Sequence, residues 1–342
     1  MSAPTLWIGV PSYNHARYLP GMLDALLAQS YRPLGITVID DASTDDSAEI
    51  ARGYARRNPI VRVIVHERNL GVTATLEELL EMATGDYFYA PAVDDRVLPG
   101  MLEKSMAVLA RHPSAGLCSA QVYAIDQDGV RTKLDADNPL GLGPQGYYMA
   151  PAQCRALVRR PAFWVHGNTA IFRRGALIAV GGYRKELGYH ADGLMHLVLA
   201  LAHGACFVPE PLAEEMRLPN TYSSRSKSNE AEMRRIRDTA LALMRGEHAG
   251  LFPRWLLRRW QGRWDFWRTM AQADQEFRRW EDGLRRILEA GERANGRLLS
   301  LGLWALRWAR ALHRLAGLLL LAPFDFGPVA RAEILPRLRR GR

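Results

Sequence analysis

The residues of this 342-residue chain best suited to chemistry are four aspartates in two adjacent pairs. Asp40 and Asp41 follow the apolar run ITVI at 36–39, and Asp94 and Asp95 close the run at 87–93. Like charges side by side are costly. Either pair alone suits helix capping or a solvated turn as well as a ligand. Two pairs at neighbouring run ends point further, because their repulsion falls when a divalent cation bridges carboxylate and ligand phosphate. Mg2+ or Mn2+ is bound in this way, by one or two carboxylates completed by substrate phosphates. Phosphate-cradling glycine loops are missing: PSYN (11–14) stands where G-x-G-x-x-G would follow the first strand, and no G-x-x-x-x-G-K-[ST] occurs. Dinucleotide and P-loop chemistry are disfavoured.

The elements that must position these acids alternate along the first 120 residues. Strands are expected at 6–11, 36–39, 60–65 and 86–93, and helices at 18–29, 48–57, about 73–82 and 101–111. Ser43, Thr44 and Asp45 are candidate N-caps for the second helix, and Gly85 a C-cap for the third. This is the βαβ pattern of a mostly parallel sheet. Each acid pair then falls at the carboxyl end of a strand, where open α/β sheets bind ligands. Further on come a strand at 116–122, a long loop at 126–150, and a strand, helix and Gly-Gly turn within 167–183. Asp192 opens a helix at 193–202, and a last strand covers 205–218.

Charge separates the chain into two parts. The net charge is +9, but residues 220–342 hold 25 Arg or Lys against 13 Asp or Glu, and seven of the nine tryptophans. A chain-wide nucleic-acid footprint is therefore not expected, whereas a basic, Trp-rich appendage suits an anionic membrane surface. Three scattered cysteines, Cys118, Cys154 and Cys206, fit a reducing compartment. The N-terminus lacks a basic-then-apolar leader, and no run of about 18 apolar residues occurs. The expected location is cytoplasmic, with peripheral contact at the inner face of the plasma membrane.

PSYN after the first strand, VIDDASTDDS after the second, NLGV before a helix, DD after the fourth, then NTAIFRR…GGY and EPLAEEMRL, follow in an order that resembles family-2 glycosyltransferases of the GT-A fold. The resemblance covers about residues 5–225. It implies a GT-A catalytic domain at 1–225, with a nucleotide-sugar half at about 1–122 and an acceptor half at about 123–225. A basic helical region at 226–342 follows.

The resemblance also implies roles. Asp41, with Asp40 beside it, corresponds to the carboxylate that hydrogen-bonds the nucleotide base, and Pro11, Tyr13 and Asn14 line the base and ribose pocket. Asn69 and Gly71 of NLGV join the nucleotide-sugar site. Asp94 and Asp95 match the last two acids of the family's D-x-D signature, contacting ribose and a Mg2+ or Mn2+ ion. Asp192 stands where the family places the general base, although an N-cap fits it equally. His166, Gly167 and Asn168 fall where an acceptor pocket is expected. The implied reaction is inverting transfer from a nucleotide-diphospho-sugar to a saccharide or lipid-linked saccharide in surface polysaccharide or glycolipid assembly.

Three positions depart from the pattern: Ala92 for the first acid of D-x-D, Ala191 for the Glu before the base, and Pro219 where a metal-binding His often follows the last strand. They leave a degenerate sugar-nucleotide-binding scaffold as a rival. A sugar nucleotidyltransferase is a second rival, opposed by the glycine-free PSYNHARY. In the tail, residues 295–324 place Arg307, Arg310 and Arg314 at helical spacing among Leu, Trp and Ala. Such a helix either lies in a bilayer interface or packs on the catalytic domain.

Overall fold

Alternation along each strand decides which side of the sheet a residue feeds. In β1 (Leu6–Ser12), Leu6, Ile8 and Val10 enter one apolar cluster and Trp7 the other. The same division sends Ile36 and Val38 of β2 (Gly35–Asp40) to the first side and Ile39 to the second, and Tyr87 and Tyr89 of β4 (Tyr87–Tyr89) to the first and Phe88 to the second. Both faces are therefore covered. The computed structural model describes residues 3–125, 130–134, 146–158, 165–216, 229–262 and 264–265.

β1, β2, β4 and β3 (Val61–Val65) are parallel. Beyond β4 the direction changes: β9 (Ile171–Arg173) runs antiparallel between β4 and β6 (Leu117–Ile125). β6 then pairs in parallel with β10 (Ala205–Met216), and the two-residue β5 (Arg96–Val97) edges β10. The order is β3-β2-β1-β4-β9-β6-β10-β5, with β7 (Arg131–Leu134) on β6 and β8 (Tyr147–Met149) on β10. Helices α1 (Leu19–Leu27), α2 (Ser47–Arg57) and α4 (Met101–Arg111) cover the first face. The second face carries α3 (Val72–Met82), α5 (Pro151–Leu157), α6 (Arg174–Ala179) and α7 (Ala191–His203). Gly9 on β1 lets α3 come close, since a Cβ there would stand 2.9 Å from Leu79 Cβ.

The sheet belongs to one compact unit, which also takes in Arg234–Phe252; residues 229–233, 253–262 and 264–265 fall in a second. From Arg234 onward, α8 (Glu230–Arg245) belongs to the first unit. There Arg235 Nη1 donates to the Glu186 carbonyl at 2.8 Å. The helix expected at 295–324 lies outside the described residues.

Several boundaries move for identifiable reasons. β4 ends at Tyr89 and not at 93, because Pro91 has no N–H to give a ladder. The segment expected as one loop at 126–150 contributes β7 and β8, short strands that only edge pairing reveals. α7 begins at Ala191, so Asp192 lies in its first turn and His190 occupies the N-cap position. A 3-10 segment at Lys185–His190, broken at Gly188 (φ 51°), leads into it.

Candidate active site at the strand ends

Two loops at the carboxyl ends of β1 and β2 are stapled together. Asn14 adopts a positive φ of 55°, its N–H donates to Ser43 Oγ at 2.9 Å, and its Oδ1 accepts from Thr44 N at 2.8 Å. His15 N donates to Ser47 Oγ at 2.9 Å and Ala16 N to Asp45 Oδ2 at 3.0 Å. Ala42 is also held at positive φ, 60°. Non-glycine residues enter that region at a cost, so the surrounding bonds must hold them there. Tyr13, at the crest of this rim, is 44% exposed.

The two acids of the first pair point into different loops. Asp40 accepts from Ser43 N at 2.9 Å and Ser43 Oγ at 2.6 Å. Asp41 turns the other way and accepts from Leu70 N and Gly71 N, both at 2.8 Å. His66 Nδ1 meets its Oδ1 at 2.7 Å, while His66 Nε2 meets Glu78 Oε2 at 3.0 Å. Burial works to lower the pKa of His66, but the hydrogen bonds to Asp41 and Glu78 outweigh it and raise the pKa. Gly71 supplies the positive φ of 89° that opens α3, and Asn69 is exposed beside it. Asp41 is thus engaged as an internal brace for the loop at 66–71.

The second acid pair borders a cavity of about 550 Å³. Asp94 and Asp95 lie on its wall with Pro11, Asn168, Asp192 and His196. Asp95 Oδ1 accepts from Met216 N at 3.0 Å, tying the acid loop to the end of β10. One residue on, Arg96 Nη1 lies 3.0 Å from buried Glu214, which Arg131 also pairs. Burial, the adjacent Asp94 and nearby Glu215 push the Asp95 carboxyl up to about 8, against the Met216 N–H and the Asn168 side chain. A carboxyl so placed resists ionising until positive charge arrives.

Asp192 faces the same cavity from α7. Its Oδ1 accepts from Gly193 N at 2.7 Å, and Oδ2 lies 3.4 Å from the point where a Cβ on Gly167 would stand. The turn Gly167–Thr169 is fixed from below by Thr169 Oγ1, which accepts from Ala120 N and lies 3.1 Å from both the Ala120 and His166 carbonyls, either of which can take its one hydrogen. Tyr89 OH also donates to the Asn168 carbonyl at 2.6 Å. His166 is buried behind the wall, its N–H on Ser119 Oγ at 2.9 Å, and burial with His196 beside it pushes its imidazole down to about 4.

One cavity therefore gathers Pro11, Asp94, Asp95, Asn168 and Asp192. Tyr13, Asn14, Asp40, Asp41, Asn69, Gly71 and His166 are not on its wall. Glu215 and His196 were not expected there. The signal for His196 was its place four residues after Asp192, hence on the same helix face.

The sequence profile described as "Glycosyl transferase family 2" matches residues 7–181. The chain belongs to that family. Among curated relatives, the "Putative glycosyltransferase EpsE" of Bacillus subtilis is 33% identical over 131 residues, 38% of this chain and about half (47%) of the relative's length. Among solved structures, S. aureus TarS 1–349 in complex with UDP-GlcNAc is similar at TM-score 0.53 and 18% identity, over 69% of this chain and 66% of that one. The mannosyltransferase PcManGT of Pyrobaculum calidifontis, in complex with GDP-Man and Mn2+, is similar at TM-score 0.54 and 20% identity, over 96% and 87%. These likenesses show the GT-A type of fold. In this family-2 chain the parallel strands carry the acid pairs, and the region around β9, β6 and β10 carries the Asp192 wall.

Proposed function

We propose that the protein transfers a sugar from a nucleotide-diphospho-sugar to an acceptor hydroxyl, with inversion. The observation that carries this reading is the single cavity with Asp94 and Asp95 on one part of its wall and Asp192 on another. In the step proposed, the acceptor oxygen bonds to the anomeric carbon as the bond from that carbon to the phosphate oxygen breaks. The electron pair leaves with the nucleoside diphosphate. The hydroxyl proton passes to Asp192 Oδ2, the oxygen not held by Gly193, because an alcohol attacks poorly unless a base takes its proton. The donor classes in the two complexes above, a UDP-sugar and a GDP-sugar, support the donor assignment.

The acids fit a divalent ion of the hard, oxygen-loving kind. Among the described residues no group of three or more potential ligands is assembled; an ion here would rest on one or two carboxylates and be completed by donor phosphates. Asp94 and Asp95 would hold Mg2+ or Mn2+, which supplies positive charge where the departing diphosphate becomes negative. That charge also answers the reluctance of Asp95 to ionise. In this reading Pro11, Tyr13 and Asn14 flank the base and ribose, with Asp40, Asp41, Asn69 and Gly71 shaping the loops behind them. Asn168 faces the acceptor, and His166 supports it from the interior.

We place the acceptor among saccharides or lipid-linked saccharides, with the basic segment 295–324 as a peripheral contact to an anionic membrane. Among the described residues no helix is long and apolar enough to cross a membrane. The decisive experiment is thermal shift and turnover with UDP-, GDP- and dTDP-sugars, with and without Mn2+. The native protein is expected to bind one donor class and to turn it over. Asp192→Asn is expected to bind that donor equally and lose about 10²–10⁴ in rate, the usual worth of a general base. Equal turnover by Asp192→Asn removes it from the role of base.

A further inference from the structure

Between Asp192 and His196 lies a notch floored by Gly167. A Cβ on Gly167 would stand 3.4 Å from Asp192 Oδ2 and 3.8 Å from His196 Cε1, and all three residues belong to the cavity wall. The absence of a side chain at 167 keeps the space between carboxylate and imidazole open. No positive φ requires a glycine there.

His196 is 3% exposed, and its ring stacks on Phe172, centroids 5.4 Å apart and planes 13° from parallel. Its Nδ1 is buried with no hydrogen-bond partner among the described residues. A proton on Nδ1 would be an unsatisfied buried donor, so the neutral ring is better served with its hydrogen on Nε2. Burial lowers the pKa of this imidazole, opposed by the charge of Asp192. Cε1, shared by both ring nitrogens, is the ring atom nearest Gly167; of the two nitrogens only Nδ1 is sealed and unpartnered, so Nε2 is the one that reaches the cavity the ring lines. Across the notch from the proposed base, the protein therefore presents a neutral N–H donor backed by an aromatic ring.

We infer that His196 reads a second hydroxyl of the acceptor, adjacent to the one that reacts, so that the acceptor is a vicinal diol of the kind a sugar ring carries. This rests on the transferase reading with Asp192 as base. The attacking hydroxyl gives its proton to Asp192 Oδ2, and the neighbouring hydroxyl oxygen accepts from His196 Nε2–H. Both groups lie within ordinary contact of one point, so the gap between them suits two oxygens on adjacent carbons with one hydrogen bond at each end. His196 is a specificity residue in this scheme and exchanges no proton with substrate.

The test uses the full chain, the donor it binds, and p-nitrophenyl hexosides paired with their mono-deoxy analogues. A site built to hydrogen-bond a hydroxyl rejects the analogue lacking it. The native protein is expected to prefer one diol over its neighbouring-deoxy analogue by about tenfold or more in kcat/KM. His196→Phe keeps the stacked ring and removes the donor, so the preference should fall to about one with donor Kd unchanged. His196→Gln, which restores an N–H, should recover part of it. Gly167→Ala fills the notch with a methyl at ordinary contact distances and should raise acceptor KM without altering donor Kd.

If the His196→Phe protein binds donor normally and keeps the native preference, the inference is overturned while the transferase reading stands. The inference also falls if the native protein hydrolyses donor but neither transfers to these diols nor is inhibited by them. A native protein that binds no donor overturns the transferase reading itself.

Discussion

Asp41→Asn separates the role that family resemblance implies for Asp41 from the one its surroundings display. Its carboxylate is 4% exposed and takes three hydrogen bonds, from Leu70 N, Gly71 N and His66. An asparagine keeps one carbonyl oxygen, turns an NH2 toward a former donor, and removes the charge opposite His66. Leaving one buried donor unsatisfied costs about 1–3 kcal/mol, and breaking a largely buried charged pair about 3–5 kcal/mol. The terms overlap, so a loss of about 3 kcal/mol is expected, or roughly 6–12 °C in Tm for a unit of this size.

The variant should also lose a pH dependence. Folding raises the pKa of His66 above its ordinary 6.5, so the folded protein holds that proton more tightly than the unfolded chain. The stabilisation is fully present below pH 6.5 and disappears as pH rises through the raised folded value. Urea unfolding at pH 6 and pH 9 should show this loss in the native protein and a smaller one in Asp41→Asn. If Asp41→Asn unfolds at the native midpoint at both pH values and is impaired only in binding the nucleotide, the bracing role is refuted and Asp41 is a ligand of the base.

Asp95→Asn should weaken donor binding about tenfold or more and make it insensitive to EDTA, whereas EDTA should weaken donor binding to the native protein; isothermal titration reads both. Because Asp95 has a folded pKa raised from its ordinary 3.8 to about 8, the native ligand-free protein should lose stability as pH rises across that window, and Asp95→Asn should not. Tyr89→Phe removes a buried hydroxyl whose hydrogen bond holds the Asn168 carbonyl at 2.6 Å, and should cost about 1–2 kcal/mol in urea unfolding. The proposed membrane contact predicts that the full chain floats with anionic liposomes at low salt and is released by high salt; protein left in the soluble fraction at low salt counts against it.

The doubly covered sheet was legible because its strands are continuous apolar runs and its helices carry a 3.6-residue period. The ends were not, because they are decided by single atoms. β4 stops short because Pro91 lacks a hydrogen, and Asp192 sits inside its helix because the turn at 185–190 starts it two residues earlier, at Ala191. Sequence placed Asp40 and Asp41 together, and the pleat separated them: adjacent side chains leave a strand end on opposite sides, one toward Ser43 and the other toward His66 and the loop at 69–71. β7 and β8 are not legible because they are short: β7 is four residues folded back on β6, and β8 is three residues whose partner, β10, is distant in sequence. Motif order points to Asp94, Asp95, Asn168 and Asp192; their shared cavity is a product of topology.

The two halves of the site are held by different means, and this bears on how precisely each can act. Around the β1 and β2 ends, side chains bond directly to loop backbone: Asn14 to Thr44, Ser43 to Asn14, Asp45 to Ala16, Ser47 to His15. Such bonds fix main chain at positive φ and leave little freedom to the surface where a nucleotide would lie. The approach to Asp192 is built from glycines at positive φ, Gly181, Gly182 and Gly188, with Arg184 paired to Glu247 on the chain beyond α8. That ion pair is partly exposed, and exposed pairs contribute only about 0–1 kcal/mol. Precision at the proposed base must then come from below, from buried Thr169 and its contacts with Ala120 and His166 and from the Tyr89 hydroxyl on Asn168. Gly167 is the joint between that floor and the Asp192 carboxylate, so the proposed reaction would depend more on a buried threonine in β9's approach than on the exposed ion pair near α7.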